Sequence, residues 1–205
     1  MKRFVKLLGH TLIHPADGFT DYKEKNCCPP AVGAAVAALF FAARILQVQL
    51  TGFYFNYNRP ERMNIGFLFV QTICVFVLWV ACNWAVATLS DGKGTVRQIW
   101  FFSAVALFPY VLSILLNILL SNVLQPTESM FMTIVNAIGI LWGLLILFAG
   151  MMTFHDYSLG EVIRSCLFTL ALILVVVFIC VLALSLFQQV FNFLDAVVRE
   201  ILYRL

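Results

Sequence analysis

Charge is what this chain has least of: only 11% of its 205 residues are Asp, Glu, Lys or Arg, against about 25% in soluble domains. Together with 62% hydrophobic residues and a mean hydropathy of +0.96, that shortage excludes a soluble core-and-shell protein. The chain reads as an integral membrane protein. None of its five long apolar runs contains Asp or Glu, so the midplane carboxylates common in proton- and cation-coupled carriers are missing. Coupled transport is not expected. Also absent are a zinc-binding H-E-x-x-H, an intramembrane-protease nucleophile motif and a dinucleotide fingerprint, and Gly92 and Gly94 lack the spacing of a phosphate loop. The expectation is therefore a non-enzyme that needs no cofactor or metal and binds no nucleic acid.

Cysteine is present but forms no framework. Cys74, Cys82, Cys166 and Cys180 fall inside apolar runs, where the residue behaves as a small hydrophobe. Cys27 and Cys28 lie just before the first run and read more simply as an interfacial pair than as a lipid anchor or redox site. The basic start, followed by a broken apolar pattern and Pro15, does not match a secretory signal.

What is abundant is membrane-spanning sequence. The chain is organised around a hairpin in which Phe67–Leu89 and Gln98–Leu120 are joined by Ser90–Arg97. At about 1.5 Å per residue, either arm crosses a hydrocarbon core of about 30 Å. Three further runs, Pro30–Leu50, Met130–Thr153 and Cys166–Phe187, complete a predicted all-α bundle of five transmembrane helices. Amphipathic interfacial segments are expected at both ends. Residues 2–13 carry Phe4, Val5, Leu8 and Leu12 on one face of a basic helix, with Asp17-Gly18 turning the chain after Pro15. Residues 188–205 repeat apolar positions at three- and four-residue steps. The predicted organisation is an interfacial segment over 1–29, a membrane domain over 30–187 and a C-terminal helix over 188–205.

Polar residues inside the runs are few and become candidates for that reason. Arg44 is the one charge within a span and reads as snorkelling, while Gln71, Asn83, Ser113, Asn117 and Asn136 read as interhelical hydrogen-bonding groups. A transport or lipid-handling path would instead require Arg44, Gln71, Asn83, Asn117 and Asn136 to line one cavity. Gly139 and Gly143 form a GxxxG for close helix contact, within the bundle or with a second copy. In the hairpin loop, Gly92 and Gly94 are expected to matter through positive φ. Asp91, Lys93 and Arg97 supply charge for docking. His155-Asp156 reads as a solvated loop, since no second histidine is near in sequence to support a metal site.

Several short stretches resemble the Yip domain family of Ypt/Rab-interacting membrane proteins, in its short bacterial branch. They are His14–Phe19 with Lys23, Asn83-Trp84, Asp91–Thr95, Ala106–Tyr110 and His155–Ser158. The resemblance implies a five-span bundle with a cytoplasmic amino terminus, and assigns no catalytic or binding residues. Eukaryotic members engage prenylated small GTPases through membrane-traffic roles; with only residues 1–29 ahead of the first span here, small-GTPase binding is not expected. Charge counting gives the same orientation independently. Lys2, Arg3, Lys6, Lys23, Lys25, Lys93, Arg97 and Arg164 fall on one side, against Arg59, Arg62, Arg199 and Arg204 on the other. The expected setting is a bacterial plasma membrane, with the carboxyl terminus external. The leading functional expectation is a membrane scaffold or accessory protein that partners with lipid and with itself or another membrane protein. A small uncoupled permease or lipid-handling protein is the alternative.

Overall fold

A computed structural model describes residues 9–24, 28–56, 63–90 and 92–204. The basic residues Lys2, Arg3, Lys6, Lys25, Arg59 and Arg62, the apolar Phe4, Val5 and Leu8, and Cys27 and Asp91 lie outside them. Among the described residues every regular element is helical. The α-helices from Pro15 onward are, in chain order, α1 (Pro15–Glu24), α2 (Pro30–Leu50), α3 (Ile65–Leu89), α4 (Val96–Ser121), α5 (Ser129–His155) and α6 (Leu159–Arg204), with a 3-10 turn at Pro126–Glu128 before α5. Helices α2 to α6 are each long and apolar enough to cross a membrane.

Local chemistry sets most of the boundaries. α2 starts on Pro30, with Pro29 in extended conformation ahead of it, where a missing N–H costs the helix nothing. α4 begins with a reciprocal cap: Gln98 N–H donates to Thr95 Oγ1, and Thr95 N–H donates to Gln98 Oε1 at 2.9 Å. At the start of α6 the Ser158 N–H and hydroxyl both donate to Glu161 Oε2, at 2.8 and 2.9 Å. The bundle is arranged around α4, the most buried of the five spanning helices. α5 packs on it most extensively and α2 next. Ile99, Phe101, Phe102 and Ala104 of α4 are fully enclosed. α3 contains a π-helical stretch, Val70–Cys74, in which the Thr72 hydroxyl donates back to the Leu68 carbonyl at 2.7 Å.

Two expectations are corrected. Asp17-Gly18 does not turn the chain: both residues lie within α1, which packs on α5, and the segment before it is held there by Trp142, whose Nε1 donates to the Leu12 carbonyl at 2.9 Å. Phe19 and Tyr22 are fully buried, each edge-on to a bundle ring, Phe154 and Phe101 respectively. The aromatic spacing overrode the turn signal. Gly18 serves close approach instead, since a Cβ there would lie 2.6 Å from Thr11 Cα.

The second correction concerns the C-terminal end. No break separates a fifth span from a tail helix, because α6 continues from Leu159 to Arg204. At about 1.5 Å per residue, its 46 residues extend for about 69 Å. Polarity changes near Gln188, but no proline occurs and the sole glycine is Gly160 in the first turn. Polarity locates a membrane boundary, whereas only a breaker or a cap ends a helix. From Val177 to Tyr203 every α6 residue is exposed.

Candidate functional site

Three segments distant in sequence meet at one end of the bundle. Lys23, from the last turn of α1, donates through Nζ to Asp156 Oδ1 at 2.5 Å and to the Thr153 carbonyl at 2.7 Å. Lys93, from the α3–α4 connection, reaches the other carboxylate oxygen at 3.3 Å. One aspartate therefore ties α1 and the hairpin loop to the end of α5. It is positioned by its backbone, since Asp156 adopts the left-handed conformation (φ 59°, ψ 36°) that stops α5, a conformation Asp tolerates better than most non-glycine residues. The Lys23 hydrogen bond, reinforced by Lys93, holds the Asp156 carboxyl below its ordinary value. A depressed carboxylate contributes stability above its unfolded-state pKa and loses it as pH falls through the folded value. The clamp is thus complete at neutral pH and released only in acid.

Directly beneath it lies His155, 1% exposed. Its ring stacks on Tyr157 with centroids 5.1 Å apart and meets the edge of Phe102. Neither ring nitrogen has a hydrogen-bond partner among the described residues. The solvated-loop reading of His155-Asp156 is therefore corrected: Asp156 is half-exposed and ion-paired, and His155 is buried. Among the described residues no group of three or more His, Cys, Asp or Glu is placed to hold a metal.

The glycines of the hairpin loop belong to the same packing. A Cβ on Gly92 would lie 2.9 Å from His155 Nδ1, and one on Gly94 would lie 2.6 Å from Cε1. Neither glycine has positive φ. Their expected role in turn conformation is replaced by one in close approach to the imidazole. Arg97 is also fixed, its Nε donating to the Cys28 carbonyl at 2.6 Å and tying the start of α2 to α4. Lys93 keeps a side chain that is 74% exposed.

The polar candidates inside the spans do not form one set. Arg44, Asn117 and Asn136 share a cavity of about 230 Å³ at the opposite end of the bundle. Gln71 instead lines a separate, apolar cavity. Asn83 is buried elsewhere, its Nδ2 lying 3.9 Å from Met151 Sδ. The Ser113 hydroxyl sits 2.8 Å from the Tyr110 carbonyl oxygen and 3.3 Å from Asn136 Oδ1. Gly139 and Gly143 both face α4 within the bundle, against Ser113 and the Ala106 carbonyl.

Sequence reasoning missed Lys23 and Asp156 as partners because 133 residues separate them. The available signal was the clustering of Phe19, Lys23, Gly92, Gly94, His155 and Tyr157 within the family-like stretches, all of which fold to this end.

Five apolar spanning helices closed at one end by a short packed helix and an ion-paired loop define a polytopic α-helical membrane protein. A sequence model of the Yip1 domain matches residues 9–187, most of the chain, and the protein belongs to the Yip1 domain family. No curated protein and no solved structure matches it.

Proposed function

We propose that this Yip-type membrane protein is a non-enzymatic scaffold or accessory subunit that receives another membrane protein, or a second copy of itself, at its Lys93 end. The observation that carries this reading is the convergence of α1, the hairpin loop and the α5–α6 junction on Asp156. These residues fix a surface: His155 and the glycines fill its interior, while Lys93 is held at its rim by an ion pair. A preorganised surface reduces the ordering cost of docking. The test is a photocrosslinking amino acid at position 93 in native membranes. Discrete, reproducible adducts are expected, and their absence in an expressed, folded protein overturns the proposal.

The same reading puts the Lys93 end in the cytoplasm, supported by the count of eight basic residues against four. A reporter fused after Arg97 is expected to read cytoplasmic and one after Leu205 external. Reversed readings at both positions overturn the orientation. Matching compartments would reveal an even number of crossings between them.

A further inference from the structure

Away from the Lys93 end, α2, α4 and α5 contribute to two half-open pockets whose lining residues follow one another along the helices. The polar one, about 230 Å³, takes Arg44, Gln47 and Thr51 from α2, Asn117 from α4, and Thr133 and Asn136 from α5. The other, about 380 Å³, is almost wholly apolar and takes Phe40 from α2, Tyr110 from α4 and Ile140 from α5, with further residues of α3. Phe40 is one helical turn from Arg44, Ile140 is one turn from Asn136, and Tyr110 is two turns from Asn117, all toward the bundle centre. The π-helical stretch of α3 borders the apolar cavity through Gln71 and Thr72, and such distortions recur at functional sites.

Two features of the polar cavity favour a ligand of particular chemistry. Arg44 donates to Gln47 Oε1 at 2.5 Å, but no Asp or Glu lines the cavity and no carboxylate pairs with Arg44 among the described residues. A guanidinium within a span is costly until an anion neutralises it, and its fork matches phosphate oxygens. Asn117, only 6% exposed, has a side-chain oxygen without any hydrogen-bond partner among the described residues. A hydroxyl, both donor and acceptor, satisfies either end of that amide.

We propose that these two cavities hold one anionic glycerophospholipid, with its phosphate on Arg44, a headgroup hydroxyl at Asn117 and an acyl chain in the apolar cavity. An amphiphile suits the arrangement because the polar cavity is near the end of a span and its apolar continuation runs inward. The site is independent of docking at the Lys93 end, so either proposal can fail without the other.

The test uses the full chain, delipidated in mild detergent and offered phosphatidylglycerol or phosphatidylcholine with identical chains. Retained lipid is counted by native mass spectrometry. Wild type is expected to prefer phosphatidylglycerol, and Arg44→Gln to lose about tenfold of that preference, the scale of one charge-assisted contact. Arg164→Gln, an exposed position on α6, should leave it unchanged. Brominated phosphatidylglycerol should quench Trp79, which lines the apolar cavity, and Ile140→Trp should reduce lipid retention by filling that cavity. Inorganic phosphate alone separates a lipid site from a free-anion site: protection against unfolding equal to that by phosphatidylglycerol overturns the lipid assignment. An undiminished preference in Arg44→Gln also overturns the proposal. Should Arg44→Gln fail to fold, Ile140→Trp decides: reduced retention supports the site and unchanged retention overturns it.

Discussion

Gly143→Val is expected to lower the melting temperature of the detergent-solubilised protein by on the order of 10 °C. A Cβ at this position would lie 2.7 Å from the Ala106 carbonyl oxygen. That oxygen belongs to the backbone of α4, the helix on which α2 and α5 both pack, so it cannot rotate aside as a side-chain tip could. Relief requires α5 to move away from α4, which opens the contacts around the neighbouring Ile146 and Gly150. Overpacking commonly costs about 1–3 kcal/mol and sometimes more, and a backbone clash in the largest interface belongs at the upper end. Gly160→Ala is the control, because nothing lies within 4 Å of a Cβ there and alanine is the better helix former. It should be neutral or mildly stabilising. Equal melting temperatures for Gly143→Val and wild type would mean that α4 and α5 are not packed through this glycine. Since α4 fills the GxxxG face, self-association would have to use another surface.

The elements read correctly from sequence are those whose signals are local. Pro30 and the apolar run behind it define α2 from first to last residue, and Thr95 with Gln98 supplies a cap close to the predicted start of α4. Where a contact between distant segments determines the outcome, the local signal misleads. Asp17-Gly18 carries a turn signature, yet burial of Phe19 and Tyr22 against Phe154 and Phe101 holds it in a helix. The change in polarity near Gln188 marks no structural break in α6, because nothing in the backbone chemistry interrupts it. For the cap at Asp156, the residue types were visible but their neighbours were not. Arg44, Asn117 and Asn136 came together as one set; Asn83 lies nearer the other end of the bundle, and Gln71 lines a different cavity because sharing one also depends on helix rotation. Hydrophobic periodicity cannot set that rotation in spans apolar all round.

Gly94→Val is expected to destabilise the bundle by about 2 kcal/mol or more, while Lys93→Gln changes stability by no more than about 0.5 kcal/mol. Gly94 is buried, and a Cβ added to it would lie 2.7 Å from His155 Nδ1. The imidazole has little room to yield, because Tyr157 stacks on it and Phe102 meets it edge-on. Displacing His155 would also pull on Asp156, the next residue in the chain, and on its bonds to Lys23 and Lys93. Lys93, by contrast, has an exposed side chain, and Lys23 holds Asp156 without it. Arg97→Gln should fall between them at about 1 kcal/mol, the scale of a partly exposed hydrogen bond from a charged group, because it removes the bond to the Cys28 carbonyl. The double variant Gly94→Val/His155→Ala separates packing from turn conformation. If valine is unfavourable because it strikes the imidazole, shortening residue 155 should recover part of the loss, and the two effects will not add. Thermal denaturation of Gly94→Val, His155→Ala, the double variant and the wild type in one detergent measures this coupling. Additive losses would assign the glycine to the backbone of the loop rather than to the space beside His155.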